Sequence, residues 1–299
     1  MKQAVIDVGS NSIHLTVYEI HGKVFKTLFR SKMMVGLAGY VENGKLSREG
    51  MDAAIQALNE FRQVLRSLSI EKTAVFATAS LRNIDNTTEA VKTLRKATGF
   101  SIEVLSGDEE AFLSYRGAMM DLKLRDGAFA DIGGASTELI SFEDGRVLSA
   151  ESLRFGSLSL YRKCIGKVLP GSKSAGQMAR IIDTEMARLS VCAPDPRTPL
   201  VCVGGTARTV LKLARRQFGL EADCRCISAA QVETLLNLLL SQDKKAIRLL
   251  LRVAPDRVHT LIPGLFILNR VLHRYQSEKM IVSQYGIREG FLCRKIIQS

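Results

Sequence analysis

Asp7-Val8-Gly9-Ser10-Asn11-Ser12, which follows the apolar run Ala4-Val5-Ile6, has a near copy 124 positions later. The copy is Asp131-Ile132-Gly133-Gly134-Ala135-Ser136, after Ala128-Phe129-Ala130. Each reads as a strand that delivers one carboxylate into a turn of small residues, with a second strand behind it. Turns built from Gly, Ser and Asn let backbone N–H groups approach an anion closely. An Asp at the strand end can hold a divalent cation, directly or through water. Either loop alone would pass for a plain β-hairpin. Together they point to two similar domains facing each other across a cleft, and to phosphoryl chemistry.

The composition fits that picture. The 299 residues are 46% apolar and 24% charged, with mean hydropathy near zero, as in globular proteins with room for one or two domains. No apolar run reaches membrane-spanning length, and the N-terminus has no signal-peptide pattern, so no membrane partner is expected. Six cysteines are scattered through the second half without a C-x-x-C pair or a zinc-spaced histidine cluster. They read as free thiols of a cytoplasmic protein. Net charge is +12 and lopsided: residues 1–124 carry 16 Lys and Arg against 14 Asp and Glu, residues 125–299 carry 26 against 16. The second half should therefore attract polyanions. Trp is absent and aromatics are few, so base stacking is poorly supported and no specific nucleic-acid partner is expected.

The two halves repeat one order of elements. Strands are expected at 3–8, 13–20 and 23–30, then a helix over Ser47–Leu68 with Ser47 as N-cap. Met51, Ile55, Leu58, Phe61 and Leu65 give that helix one apolar face. Strand 73–77, helix 85–98, strand 101–105 and a helix starting near Gly107 follow. The second half should show strands at 128–132, 137–142 and 147–153. A helix over 174–189, strand 200–203, helix 206–218, inserted helices within 227–254 and a helix over 261–275 come next. Strand 279–282 and a helix over 287–297 close the chain, and residues 193–199 read as a loop. The fold class is α/β: two RNase H-like domains of the actin, sugar-kinase and Hsp70 kind, each β-β-β-α-β-α-β-α, covering residues 1–124 and 125–299.

Further residues could carry chemistry, each with a plainer alternative. Val203-Gly204-Gly205-Thr206 is a third small turn, between a strand and a helix, where free N–H groups can meet an anion or Thr206 can simply cap. Ser106-Gly107-Asp108-Glu109-Glu110 opens a helix, and acids in a first turn usually complement the helix dipole. Glu110 could instead accept a proton from water attacking phosphorus. Arg82 has the fork geometry for phosphate oxygens, or is a surface loop arginine. Arg208, Lys212, Arg215 and Arg216 form one basic stripe at helical spacing, and Lys244, Arg248 and Arg252 another. Each is a solvated face or part of a polyanion track.

Taken together, these segments resemble one family. Asp7–Ser12, Ala77–Arg82, Ser106–Ala111, Asp131–Leu139, Phe155–Ser157, Val203–Thr206, Arg257 with Ile262–Gly264, and Tyr285–Gly290 match, in order, the exopolyphosphatase and guanosine-pentaphosphate phosphatase family. That family sits within the actin-like, sugar-kinase-like ATPase superfamily, and the length is similar to its short, two-domain members. The resemblance implies Glu110 as general base. It implies Asp131 and Glu138, with Asp7 nearby, as holders of Mg²⁺ or Mn²⁺. It implies a phosphate cradle of Ser10, Asn11, Ser12, Arg82, Gly133, Gly134 and Ser136, with Gly205, Thr206 and Arg257 contributing. Polyphosphate is the implied substrate, with guanosine pentaphosphate or nucleoside triphosphates as alternatives, and a homodimer is expected. A non-catalytic regulator that binds alarmone or polyphosphate, and a kinase or assembly protein of the superfamily, are the other classes. Two residues depart from the family pattern. Ala135 replaces the third glycine of a triple-Gly turn, where a Cβ would resist positive φ by roughly 1–2 kcal/mol, and His14 stands where Arg is usual.

Overall fold

The computed structural model of the protein describes residues 1–189, 195 and 198–294. The chain forms two compact units. One comprises Met1–Glu110 joined by the C-terminal segment that begins at Arg288, and the other comprises Ala111–Ile287.

The first unit contains β1 (Lys2–Val8), β2 (Ser12–His21) and β3 (Val24–Met34), a two-residue ladder of β4 (Val41–Glu42) and β5 (Lys45–Leu46), then α1 (Arg48–Ser67), β6 (Thr73–Ala77), α2 (Ala79–Arg82), α3 (Thr87–Thr98) and β7 (Ile102–Val104). Its sheet runs β3-β2-β1-β6-β7, with an antiparallel meander on one side of β1 and parallel strands on the other. The Ser47 side chain caps α1 by accepting from Gly50 N–H, as expected. The apolar stripe of α1 (Met51, Leu58, Phe61, Leu65) packs with Ala4, Ile6, Ile13, Leu15 and Val17 in one buried core.

The second unit is entered along α4 (Gly107–Leu122), and the division between the units falls inside this helix. It continues through β8 (Gly127–Ile132), β9 (Thr137–Glu143), β10 (Arg146–Leu153), α5 (Ser157–Cys164), α6 (Ser172–Ala187), β11 (Leu200–Val203) and α7 (Gly204–Phe218). After these come β12 (Cys226–Ser228), α8 (Ala229–Ser241), α9 (Lys244–Val253), α10 (Leu261–Arg274) and β13 (Lys279–Val282). The sheet order β10-β9-β8-β11-β13-β12 repeats the first sheet and adds β12 as an antiparallel edge strand. Ser228 and Asp243 cap α8 and α9, accepting from Gln231 and Ala246 N–H. Helix α5 and strand β12 were not expected. Three-residue β12 is stabilised by its ladder with β13 and by burial of Ile227 in the core, which local pattern does not reveal.

The units divide elsewhere than at residue 124, for a reason of packing. Ala111, Tyr115 and Ala118 of α4 bury against Phe129, Ile140, Phe142, Val201 and Val203, so most of this helix belongs to the second sheet. At the other end, α11 (Ile287–Leu292) returns the chain to the first unit. Its Phe291 ring lies 4.6 Å from that of Phe76, and Tyr18 OH donates to Glu289 Oε1 at 2.8 Å, both groups buried. The helix was expected to reach residue 297, but 295–297 lie outside the described residues, as do 193, 194, 196 and 197 of the expected loop. Cys164, Cys202, Cys224, Cys226 and Cys293 are free thiols, and Cys192 lies outside the described residues. Among the described residues no helix is long and apolar enough to cross a membrane.

Because Phe291 is 1% exposed and stacked on Phe76, Phe291→Ala should destabilise the first unit by about 3–5 kcal/mol. Urea unfolding followed by circular dichroism measures this; a change under 1 kcal/mol would remove α11 from that unit's core.

Candidate functional site

In the first unit the turn after β1 is closed by Gly9 N–H donating to Ser12 O at 3.2 Å. A Cβ on Gly9 would stand 2.8 Å from that same oxygen, so glycine is required by space. The carbonyls of Ser10 and Asn11 are held from behind, accepting from Ala38 and Gly36 N–H at 2.9 Å each. Among the described residues the N–H groups of Ser10 and Asn11 donate no hydrogen bond. A trans peptide carries its C=O and the N–H of the next residue on opposite sides, so tying the Ser10 carbonyl inward turns the Asn11 amide away from that contact. Ser80 secures the end of β1 by donating from its hydroxyl to Val8 O. The Ser12 hydroxyl is paired with His14 Nε2 at 2.8 Å, and Asp7 faces His14 in the β1–β2 ladder.

Helix α2 places Arg82 beside the start of α4. Arg82 Nη1 donates to Glu110 Oε2 at 2.7 Å and to Leu105 O at 3.0 Å. The Glu110 side chain is only 11% exposed, and the ion pair stabilises its charged form. Glu109 has the plainer role: Glu109 N–H donates to Ser106 Oγ, Ser106 N–H donates to Glu109 Oε2, and Arg294 donates to its other oxygen. These hydrogen bonds hold the Glu109 carboxyl below the usual carboxylate range, led by the backbone bond from Ser106.

The second unit repeats the turn. Gly133 N–H donates to Ser136 O at 3.0 Å, and the Gly133 and Gly134 carbonyls accept from the first N–H groups of α5, those of Ser157, Leu158 and Ser159. The N–H groups of Gly134, Ala135 and Ser136 donate to nothing among the described residues. Gly156 makes this possible, since a Cβ there would stand 2.6 Å from Gly133 O and 2.8 Å from Ala135 N. None of residues 133–136 has positive φ, so Ala135 fits without strain. The turn needs glycine for close approach rather than for left-handed backbone.

Asp131 and Glu138 are direct cross-strand partners in the β8–β9 ladder. Each is held by a serine that sequence reasoning missed. Ser114 Oγ donates to Asp131 Oδ2 at 2.6 Å, and Ser152 Oγ donates to Glu138 Oε1 at 3.1 Å. Ser114 lies four residues after Glu110 in α4, and nothing in the local pattern marks it. Gly204, at φ +80°, lies against Asp131: a Cβ there would stand 2.6 Å from Oδ1. No side chain caps α7, so the N–H groups of its first turn have no capping partner. The Arg257 guanidinium lies directly over Gly205, in space that a Cβ would occupy. Burial lowers the Arg257 pKa, against the opposing effect of Asp256. Thr206 differs from its expected role: its hydroxyl donates to Ile132 O at 3.0 Å and fastens α7 to β8, leaving its backbone for an anion. Burial, reinforced by the Asp131 charge, pushes the Cys202 thiol up, so it is no nucleophile.

The donor set suits a hard divalent cation. Asp131 and Glu138 offer only carboxylate oxygens, already oriented by hydroxyl groups, as Mg²⁺ and Mn²⁺ sites require. Among the described residues no group of three or more His, Cys, Asp or Glu side chains could hold a metal.

Known proteins resemble this chain over nearly its whole length. Exopolyphosphatase 1 of Mycobacterium tuberculosis is 26% identical over 305 aligned positions, covering 99% of this chain and 88% of its own. The crystal structure of an exopolyphosphatase from Cytophaga hutchinsonii superposes with a TM-score of 0.86 at 23% identity, over 98% of this chain and 96% of its own. A Ppx/GppA family member from Aquifex aeolicus gives 0.79 at 22% identity, over 100% and 98%. Residues 16–298 match the Ppx/GppA phosphatase family as a whole, and the chain belongs to that family.

Proposed function

We propose that this chain is an exopolyphosphatase, a metal-dependent hydrolase that removes the terminal phosphate from inorganic polyphosphate. The carrying observation is the pair of turns whose carbonyls are bonded inward and whose amides are left undonated, each next to a strand-end Asp. The naming of relatives as exopolyphosphatases supports the same substrate.

In this reading the amides of Ser10, Asn11, Gly134, Ala135 and Ser136 bind phosphate oxygens, with Arg82, Arg257 and the start of α7 adding positive charge. Phosphoryl transfer asks the protein mainly for in-line positioning and charge neutralisation. Asp131 and Glu138 would hold the Mg²⁺, oriented by Ser114 and Ser152. A bound Mg²⁺ supplies charge neutralisation at the phosphate oxygens. Glu110 accepts the proton of the attacking water. The Arg82 ion pair favours the carboxylate form of Glu110, the form that acts as a base. A guanosine pentaphosphate or nucleoside triphosphate phosphatase would use the same groups. Phosphate release from polyphosphate, guanosine pentaphosphate and ATP, assayed in parallel, decides among them; release from none would leave the binding-protein reading.

Glu110→Gln keeps an acceptor for Arg82 and should lower turnover roughly 10²- to 10⁴-fold, the usual scale of general-base catalysis, with binding retained. Wild-type turnover in that variant would exclude Glu110 as the base. Chelation by EDTA should abolish phosphate release and added Mg²⁺ restore it; full activity in EDTA would rule out the metal. Ser114→Ala should weaken Mn²⁺ affinity by about 10-fold or more, as loss of an outer-shell partner does. Titration followed by electron paramagnetic resonance, on protein shown folded by circular dichroism, reads this directly; unchanged affinity would detach Ser114 from the metal.

A further inference from the structure

We propose that the outer face of α9 is a distal binding track for the phosphate chain, which selects long polyphosphate over short phosphate esters. This inference rests on the exopolyphosphatase reading and extends its site. Helix α9 carries Lys244, Lys245, Arg248 and Arg252 and no acidic residue. All four cations are exposed; the N-cap Asp243 interacts with the charge of Lys245, whereas Lys244, Arg248 and Arg252 have no ion-pair or hydrogen-bond partner among the described residues. Lys244, Arg248 and Arg252 recur every fourth residue, so their side chains stack along one face over about 12 Å of helix.

This arrangement runs against helix stability. Like charges four residues apart destabilise a helix by roughly 0.2–0.5 kcal/mol per pair, and exposed helices ordinarily intersperse acids. An unneutralised stripe is accounted for by a polyanionic ligand. Position supplies the ligand's identity. The C-terminal end of α9 runs through Ala254 and the 3₁₀ turn Pro255–Arg257 directly to Arg257, which lies over the start of α7. Both α9 and Arg257 belong to the second unit. A phosphate chain with one end at Arg257 can therefore continue past Arg252, Arg248 and Lys244 in turn. Guanosine pentaphosphate has too few linked phosphates to follow that path.

A membrane surface fits less well. The apolar side of α9 is already buried in the core, through Ala246 and Leu250, with Leu249 and Val253 packed against it. Among its outward residues only Leu251 is a large exposed hydrophobic, too little for interfacial insertion.

The test is a triple variant, Lys244→Gln, Arg248→Gln and Arg252→Gln, which keeps good helix formers in place. Its control removes equal charge from the first unit, through Lys23→Gln, Lys26→Gln and Lys92→Gln. Binding of long-chain polyphosphate and of tripolyphosphate is measured by calorimetry at several salt concentrations, with hydrolysis of each assayed separately. The triple variant should bind long chains roughly 10- to 100-fold more weakly, with a shallower salt dependence, while tripolyphosphate binding and the control stay at wild-type values. Unchanged long-chain affinity, or equal losses for both lengths, would overturn the track. So would duplex DNA or phosphatidylserine vesicles that bind the wild type as tightly as polyphosphate does and lose binding in the same variant. The two readings fail separately: absence of hydrolysis in the wild type sinks the activity, whereas the track stands or falls on binding.

Discussion

A peptide unit whose carbonyl is bonded into the fold must present its N–H on the other side. Both turns of this protein obey that constraint in the same way. In the first unit, Gly36 and Ala38 take the carbonyls of Asn11 and Ser10. In the second, the leading N–H groups of α5 take those of Gly133 and Gly134. Different elements perform the same service, and the amides that share those peptide units at Asn11, Gly134 and Ala135 are left with no internal partner. An undonated amide is thus a consequence of what lies behind the turn rather than of the turn alone.

Charge is then placed by the absence of side-chain atoms. Gly204 lets α7 start against the Asp131 carboxylate, and Gly205 lets the Arg257 guanidinium lie over the same helix start. Opposite charges are held at one helix terminus because two consecutive residues lack a Cβ. The carboxylates have partners of their own: buried Glu110 pairs with Arg82, half-buried Asp131 accepts from Ser114, and buried Glu138 accepts from Ser152. An uncompensated carboxylate at such depth would carry a penalty large enough to neutralise it.

Much of this was legible in the residue order. The duplicated Asp-x-Gly turn predicted two sheets of like topology, and the strands, α1 with its Ser47 cap, and the Ser228 and Asp243 caps follow from short-range pattern. Other features were not. Ser114 looks like any small residue of an amphipathic helix, and its role exists only because Asp131 lies within hydrogen-bonding reach. Thr206 read as an anion ligand, but its hydroxyl is claimed by Ile132 O, 74 residues away in the chain. The strain expected of Ala135 is absent because the turn makes no use of positive φ.

Residue chemistry within a few positions decides strands, helix caps and the small-residue turns, since periodicity and capping act over single turns of chain. It also decides where the positive charge lies along the chain. Which unit owns α4 and α11, which hydroxyls orient which carboxylates, and which carbonyls are turned inward are decided only by tertiary packing. Those outcomes depend on atoms brought within about 3 Å of one another from distant parts of the chain, the range over which hydrogen bonds act. No local pattern encodes that proximity.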